Sequence, residues 1–210
     1  MCIPSYGSWG GFSSSASTSE ERTMILAGKR LAIISPKEPP PEERIPLIIQ
    51  RGAFGSGEHE TTLSCLEELE NLAPLDGARV LDLGCGTGIL AIAAALLGAN
   101  PVTAVDIDPK AVEVIQENTR LNGIKMDIRL GSIEAAPGPF HLIMANIHGD
   151  ILMALAPQMV GKLLPGGTLL LSGVAFHENY QVLLTFQSLG CQLLKNRFME
   201  EYTTLLLERS

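Results

Sequence analysis

Apolar and polar positions repeat along the chain with two different periods, and these periods predict the elements of the fold. Leucines occur at every third position from Leu63 to Leu72, which predicts one amphipathic helix over residues 61–71. From Val80 onward, short apolar runs typical of buried strands alternate with longer segments of helical period. Strands and helices that alternate in this way predict a doubly wound α/β sheet.

The individual segments follow from this alternation. The predicted strands are "RVLDLG", "PVTAVDID", "KMDIRLG", "FHLIMANI" and "GTLLLSGV", and the predicted helices include "GILAIAAALLG", "DILMALAPQMVGKLL" and "NYQVLLTFQSL". A further helix begins after Asp108, a capping residue followed by Pro109, and ends at Asn122–Gly123. The final segment, "CQLLKNRFMEEYTTLLLER", predicts two strands that pair as a hairpin and add antiparallel edge strands to the sheet.

The front of the chain differs from the rest. Residues 1–22 are rich in serine and glycine and predict a flexible tail. Residues 23–52 contain two short β-like runs, "LAII" and "PLII", separated by a proline-glutamate stretch, and we interpret them as a lead-in or linker remnant. Residues 53–210 form the predicted main domain.

Composition and charge narrow the class of protein. The 210 residues are 46% hydrophobic and 18% charged, which suits one globular domain, and the net charge of −8 argues against direct contact with nucleic acid. We predict no metal site, because the four histidines and four cysteines lack ligand spacing. There is no secretory signal or membrane-length apolar run, so we expect a soluble cytoplasmic protein, and the pattern does not indicate an oligomeric state.

The motif "VLDLGCGTG" is the strongest functional signal. Gly84, Gly86 and Gly88 stand between a predicted strand and a predicted helix, where the backbone can turn tightly and approach a ligand. The start of the helix favours an anionic group at the same place. Asp106 ends the next strand, 22 residues after Gly84, where a carboxylate can accept hydrogen bonds from both hydroxyls of a ribose. Together these features predict a nucleoside ligand.

The spacing of the loop favours one nucleoside cofactor over another. A dinucleotide fingerprint reads G-x-G-x-x-G, whereas this loop reads G-x-G-x-G and is preceded by Asp82. A carboxylate at Asp82 would repel a pyrophosphate but could accept a hydrogen bond from an ammonium group. S-adenosylmethionine carries an ammonium, a carboxylate and a ribose but no phosphate, so we favour it over NAD.

These motifs resemble a known family. "VLDLGCGTG" with "AVDIDP" is similar to class I S-adenosylmethionine-dependent methyltransferases, and "AFGSGEHETT", "ENTRLNG", "MANI" and "LSGV" narrow the resemblance to the PrmA family. That family methylates the large-subunit ribosomal protein at the stalk base. The resemblance implies a Rossmann-like, mostly parallel seven-stranded sheet, S-adenosylmethionine as cofactor, and a protein substrate methylated on lysine or α-amino groups.

The resemblance also assigns roles to residues. Thr62, Gly84 and Asp106 match cofactor-contacting positions, and Asn146 in "MANI" matches the family's asparagine after the fourth strand, so we take it as both cofactor-binding and catalytic. As an alternative, Asn146 could merely cap the following helix. Ile107, which follows Asp106, is assigned to the cofactor site with it.

The loop "RGAFGSGEHETT" is implied to fold over the cofactor. Gly55 and Gly57 would provide the hinge, Phe54 would cover the cofactor, and His59 would supply a donor or acceptor. The alternative is a simple helix start that Glu60 or Thr61 caps.

Two further side chains are candidates for the site. Ser132 ends the third strand near the expected adenine, although an ordinary turn would also place a serine there. His148 is a candidate base, with a surface histidine as the alternative.

Other functions remain open at this level. The PrmA family carries an additional N-terminal substrate-binding domain, and we expect only the end of its linker in this chain. A small-molecule methyltransferase and a catalytically idle S-adenosylmethionine-binding protein are therefore the alternatives to a protein N-methyltransferase. An NAD-dependent oxidoreductase is disfavoured by Asp82 and by the glycine spacing.

Overall fold

A computed structural model describes residues 24–50 and 57–210 of the chain. The strands are β1 (Ile25–Ala27), β2 (Leu31–Ile34), β3 (Ile45–Ile48), β4 (Val80–Leu83), β5 (Val102–Asp106), β6 (Asp127–Leu130), β7 (Phe140–Asn146), β8 (Leu163–Ala175), β9 (Cys191–Phe198) and β10 (Tyr202–Arg209). The helices are α1 (Glu60–Leu72), α2 (Ile89–Leu96), α3 (Pro109–Leu121), α4 (Gly149–Lys162) and α5 (Asn179–Ser188).

The main sheet has seven strands in the order β6-β5-β4-β7-β8-β10-β9. The five strands from β6 to β8 are parallel, and the hairpin of β9 and β10 joins β8 in antiparallel register. The predicted doubly wound α/β sheet with a terminal antiparallel hairpin is thereby confirmed. The strand order reverses direction between β4 and β7, and ligands of such sheets bind in the crevice at this point, outside the carboxyl ends of the strands.

The alternation of side chains across the strands explains why both faces of the sheet are covered. In β7, Leu142 and Met144 belong to one apolar cluster, with α1 and α2, whereas Ile143 and Ala145 belong to a second cluster, with α4 and α5. Successive side chains of a strand point to opposite faces, so a central strand must be apolar at every position. The unbroken apolar runs in the sequence are a direct result of this burial.

The helix boundaries agree with the sequence patterns, with one difference. The side chain of Asp108 accepts a hydrogen bond from the Lys110 backbone N–H, so it caps α3 as predicted, and the helix ends before Gly123, whose φ is +66°. The predicted fourth helix was expected to continue through Leu164, but α4 ends at Lys162 and β8 begins at once. Apolar period alone cannot separate a helix end from the strand that follows it.

The front segment forms a small second sheet that packs on the main domain. β2 and β3 confirm the two β-like runs, and β1 was not predicted. The carboxylate of Glu70 in α1 accepts hydrogen bonds at 2.8 Å from the backbone N–H groups of Lys29, Arg30 and Leu31. Buried side chains of this sheet share the apolar cluster of α1 and α2. The division of the chain at residues 22 and 52 stays a prediction.

Asn118 of α3 and Asn122, the C-cap of that helix, hold the front segment in place. Asn122 exchanges two hydrogen bonds with the backbone of Ile48, at 2.9 and 2.7 Å, as a neighbouring strand would. Asn118 is fully buried; its Oδ1 accepts from the Gln50 backbone N–H at 3.0 Å, and its Nδ2 donates to the Thr87 carbonyl at 2.9 Å. Asn118 therefore joins the end of the front segment to the glycine loop.

The described part of the chain contains neither a membrane-spanning helix nor a cluster of metal ligands. Within it, no helix is long and apolar enough to cross a membrane, and no group of three histidine, cysteine or acidic side chains could hold a metal ion. Cys65, Cys85 and Cys191 are free and buried there.

Candidate functional site

The glycine loop between β4 and α2 has a conformation that requires glycine. Gly84, Gly86 and Gly88 have φ angles of +71°, +52° and +77°, a region that L-residues with a side chain rarely adopt. A Cβ at Gly84 would lie 2.6 Å from a methyl group of Ile147, and one at Gly88 would lie 2.2 Å from Ile115. The loop is therefore a fixed bend, and its position is set by the packing of its neighbours.

Asp106 at the end of β5 faces this bend. Its Oδ2 accepts a hydrogen bond from the Gly86 backbone N–H at 2.8 Å, and its Oδ1 accepts one from the Asp108 N–H at 3.0 Å. A carboxylate oxygen has two lone pairs, so both atoms retain capacity for a further donor such as a hydroxyl group. The two N–H donors fix the orientation of the carboxylate at the strand end.

A cavity of about 500 Å³ opens at this edge of the sheet. This volume is within the range of roughly 300–1,000 Å³ that small-molecule and cofactor sites occupy. The lining residues come from the ends of β4, β5, β6 and β7 and from the helices that follow: Leu83, Gly84, Gly86, Asp106, Ile107, Asp108, Lys110, Ala111, Val114, Gly131, Ser132, Ile147, Ile151 and Leu155. The cavity thus brings together five of the residues predicted from the sequence, namely Gly84, Gly86, Asp106, Ile107 and Ser132.

The cavity combines an apolar wall with polar groups along one side. Ile107 is 75% exposed and Ile151 is 43% exposed, an unfavourable state for large aliphatic side chains unless a ligand covers them. The Asp106 carboxylate and the glycine loop supply the polar groups. This arrangement suits a ligand with a flat apolar base, a sugar and a charged end, so the residues present fit a nucleoside cofactor.

Asp82 lies outside the cavity lining. It is 1% exposed, and its Oδ2 accepts a hydrogen bond from the Ala91 backbone N–H in the first turn of α2 at 3.0 Å. Burial raises the pKa of this carboxyl to about 7, a shift that the Ala91 hydrogen bond opposes and the nearby Asp106 charge supports. Its expected contact with an ammonium group stays a prediction, and its charge does not decide between cofactors in this geometry.

Asn146 and Thr62 meet beside the cavity. The Nδ2 of Asn146 donates to the Thr62 hydroxyl oxygen at 3.4 Å, which joins the end of β7 to the first turn of α1. Neither residue lines the cavity itself, but Ile147, the next residue along the chain, does. The pair therefore lies next to the cavity wall, one residue along the chain from Ile147.

Gly173 of β8 makes room for Asn146. Its φ is +77°, and a Cβ there would lie 3.1 Å from the Asn146 Oδ1 and 2.8 Å from the Ile147 carbonyl oxygen. The carbonyl belongs to the backbone, so a side chain at Gly173 would have to displace the end of β7. The space available at this position thus explains the glycine of the "LSGV" motif.

The loop before α1 is described from Gly57 onward, and Phe54 and Gly55 lie outside the described residues. A Cβ at Gly57 would lie 2.5 Å from Ile33 and 3.0 Å from Ile89, so this glycine packs tightly between the front sheet and α2. His59 is the N-cap of α1: its Nδ1 accepts from the Thr61 backbone N–H at 3.4 Å. The capping residue is therefore neither Glu60 nor Thr61, the two alternatives weighed from the sequence.

The structure also gives the positions of the two histidines named as candidates, His59 and His148. The His59 ring packs edge-on against Tyr202, with 5.1 Å between ring centroids, and it does not line the cavity. His148 is exposed at the N-cap position of α4 and makes no side-chain cap hydrogen bond. The proposed roles of His59 in cofactor binding and of His148 as a base stay predictions.

Several lining residues were not predicted from the sequence. Ile147, Ile151 and Leu155 recur at a spacing of four along the start of α4 and form one wall of the cavity. Apolar residues at this spacing also occur on helices that pack in the core. The exposure of Ile151 in the structure is what distinguishes a cavity wall from a core face. Lys110 and Val114 have the same spacing on α3, and that spacing was the available signal.

Comparison with known proteins agrees with this geometry. Residues 22–210 match the family model described as ribosomal protein L11 methyltransferase (PrmA). A ribosomal protein L11 methyltransferase of Pelobacter propionicus is 42% identical over 197 residues, which cover 89% of this chain and 63% of that protein. The corresponding protein of Agrobacterium fabrum is 41% identical over 168 residues, covering 75% of this chain and 56% of that protein. The chain thus spans less than two thirds of the length of these relatives.

Solved structures of methyltransferases have a similar fold. The crystal structure of a ribosomal protein L11 methylase from Lactobacillus delbrueckii subsp. bulgaricus has a TM-score of 0.81 at 29% identity and covers 89% of this chain and 97% of that one. The T. thermophilus 16S rRNA methyltransferase RsmC, in complex with AdoMet and guanosine, has a TM-score of 0.65 at 27% identity, with 77% and 46% covered. The match over residues 22–210, together with the glycine loop and Asp106 in one crevice, shows that the chain belongs to the ribosomal protein L11 methyltransferase (PrmA) family.

Proposed function

We propose that the chain is an S-adenosylmethionine-dependent N-methyltransferase that acts on amino groups of a protein substrate. The observation that carries the proposal is the shared cavity of the glycine bend and the Asp106 carboxylate at the carboxyl edge of the parallel sheet. The relatives are named as methyltransferases of ribosomal protein L11, so ribosomal protein L11 is the proposed acceptor of the methyl group. The proposed location is the cytoplasm.

The residues of the cavity match the parts of this cofactor. Asp106 would accept hydrogen bonds from the ribose hydroxyls, and Ile107 and Ser132 would lie along the adenine. The glycine loop and the N-terminal end of α2 would receive the carboxylate, because the first N–H groups of a helix favour an anion. Phe54 and Gly55 are proposed to belong to a loop that folds over the cofactor, and His59 and Thr62, at the start of α1, are proposed to contact it.

The chemistry required of the protein is mainly one of alignment. When bound, the cofactor supplies an electrophilic methyl group on a sulfonium. Holding an acceptor amine in line with that methyl group can contribute roughly 7–11 kcal/mol where the geometry is good. We assign this task to Asn146, whose Oδ1 can accept a hydrogen bond from the acceptor amine while its Nδ2 is held by Thr62.

The acceptor amine must also lose its proton. A lysine with a pKa near 10.4 is neutral in only about one molecule in two thousand at pH 7, which costs about 4–5 kcal/mol. Burial of the amine beside a cationic sulfonium lowers its pKa and reduces this cost. His148 is exposed at the start of α4 and is the proposed base that takes up the proton.

Two measurements test the proposal. In a thermal-shift assay, S-adenosylmethionine and S-adenosylhomocysteine should raise the melting temperature and NAD should not. Transfer of a radiolabelled methyl group should then occur to purified ribosomal protein L11, and Asn146→Ala should transfer the group much more slowly. Stabilisation by NAD alone would refute the cofactor, and transfer only to small amines would refute the protein substrate.

A further inference from the structure

Two exposed phenylalanines lie in contact on the surface near the candidate site. Phe176 is 61% exposed and Phe198 is 55% exposed, and their ring centroids are 5.6 Å apart. Burying a phenylalanine stabilises a protein by roughly 1.5–3 kcal/mol, so two adjoining rings left in water are an unused source of binding energy. We call Phe176 and Phe198 the exposed aromatic pair.

The pair stands at the same edge of the sheet as Asn146. Ser172 is the register partner of Asn146 in the adjacent strand, and Phe176 follows four residues later, just beyond the carboxyl end of β8. At about 3.3 Å per extended residue the two positions are at most about 13 Å apart, and the irregularity of β8 at Gly173 shortens this span. This distance equals about four residues of an extended peptide, so one short segment can reach both places.

The surroundings of the pair are acidic. Glu200 and Glu201 are exposed at the tip of the β9–β10 hairpin, and their backbone N–H groups lie 3.3 and 3.4 Å from the Glu60 carboxylate. Glu178, two residues after Phe176, has its carboxylate beside Gly149 at the start of α4. The Phe176 backbone N–H donates to the Glu201 carbonyl at 2.9 Å, so the segments that carry these four carboxylates adjoin the aromatic pair.

Nearby basic side chains do not cancel this charge. Lys195 of β9 forms an ion pair with Glu68 at 2.7 Å, and Arg197 pairs with Glu67. Both cations are therefore matched by acids of α1, and the hairpin tip keeps its own negative charge. A partner with a positive charge and an apolar side chain fits this surface best.

Resting on the function proposed above, we infer that the exposed aromatic pair is the docking surface for the segment of the protein substrate that flanks the methylated amine. The segment is extended and cationic. Its lysine or amino terminus enters the crevice beside Asn146, and an apolar or arginine side chain about four residues away packs on the two rings. Aromatic faces attract both apolar groups and cationic side chains, which suits such a segment.

The test is a steady-state comparison with purified ribosomal protein L11 as the acceptor. The double variant Phe176→Ala/Phe198→Ala should raise KM for L11 roughly 5- to 30-fold, the loss expected from two exposed ring contacts, with kcat and the Kd for S-adenosylmethionine unchanged. The matched control is Leu26→Ala, which removes a side chain of similar exposure, 54%, from the front sheet. A second variant, Glu200→Gln/Glu201→Gln, should also raise KM and should weaken its dependence on salt.

Each result decides the inference. A KM within twofold of the Leu26→Ala control overturns the docking surface while the proposed function stands. A wild-type chain that transfers no methyl group to L11 overturns the proposed function and the docking surface with it. If sedimentation shows that the double variant converts a dimer to a monomer, the pair is a contact between copies of the chain and the inference is wrong.

Discussion

Replacing Gly173 by alanine should slow catalysis much more than it weakens cofactor binding. The new Cβ would lie 2.8 Å from the Ile147 carbonyl oxygen, closer than such atoms pack, and 3.1 Å from the Asn146 Oδ1, which is a tight contact. The carbonyl is part of the backbone, so the end of β7 must shift by several tenths of an ångström. A misplacement on the order of 1 Å can cost about 100-fold in rate, and we therefore expect kcat to fall roughly 10- to 100-fold.

The same change has a cost in stability that a second glycine can measure separately. Alanine at a φ of +77° costs about 1–2 kcal/mol, and overpacking adds about 1–3 kcal/mol. Gly166 lies in the same strand with a φ of +72° and has nothing within 4 Å of its Cβ position, so Gly166→Ala pays only the first cost. Denaturant unfolding of both variants gives the free energy of unfolding, and their difference measures the contacts with Ile147 and Asn146 together.

The assay is a comparison of kcat with the Kd for S-adenosylmethionine in both variants. Gly173→Ala should lose more in kcat than in the Kd, because Gly84, Gly86 and Asp106 are not touched and Ile147 is the part of the cavity lining that must shift. Gly166→Ala should keep both values. Equal kcat in the two variants, within a factor of two, would refute the argument that Gly173 sets the position of Asn146.

Three other changes have defined outcomes. Asp106→Ala should weaken S-adenosylmethionine binding by about 1.5–3 kcal/mol in a calorimetric titration, and an affinity within twofold of wild type would contradict the ribose contact. Asp82 has a folded-state pKa raised from 3.8 to about 7, so wild-type stability should fall as pH rises from about 4 to 7, by at most about 4 kcal/mol. Asp82→Asn should remove this loss, and denaturation curves at pH 5 and pH 8 that change equally in both proteins would show otherwise. Asn118→Ala should destabilise the fold by about 1–3 kcal/mol, because its hydrogen bonds with the Thr87 carbonyl and the Gln50 N–H are lost, and unchanged unfolding would contradict that.

The parallel half of the sheet could be predicted from sequence because its signals are local and agree with one another. Between Val80 and Asp108, apolar runs, glycines and a capping aspartate each point to the same strand–loop–helix units, and the structure contains them. β1 could not be found in this way, because a strand of three residues has no readable period. Its existence depends on pairing with β2, which is a tertiary contact.

The sequence identified several residues that line the cavity, but it was less informative about where their side chains and those of their neighbours point. Asp82 illustrates the limit: its contact with the cofactor's ammonium group stays a prediction, and in the structure its Oδ2 accepts a hydrogen bond from the Ala91 N–H of α2. The two-residue period of a strand places it on the same side as Val80, which packs in the α1 and α2 cluster, so the direction was available in the pattern. The contact of Asn146 with Thr62, 84 positions apart, had no such local signal.

The position of Asn118 limits how this chain can be re-engineered. Its side-chain amide forms hydrogen bonds with both residue 50 and residue 87. A front segment transferred from a relative must therefore place its backbone N–H where it can donate to the same amide. Chimeras cut between α3 and the front sheet should lose cofactor affinity even when every residue that touches the cofactor is retained. Recombination that exchanges residues 24–50 and 109–122 together should keep it.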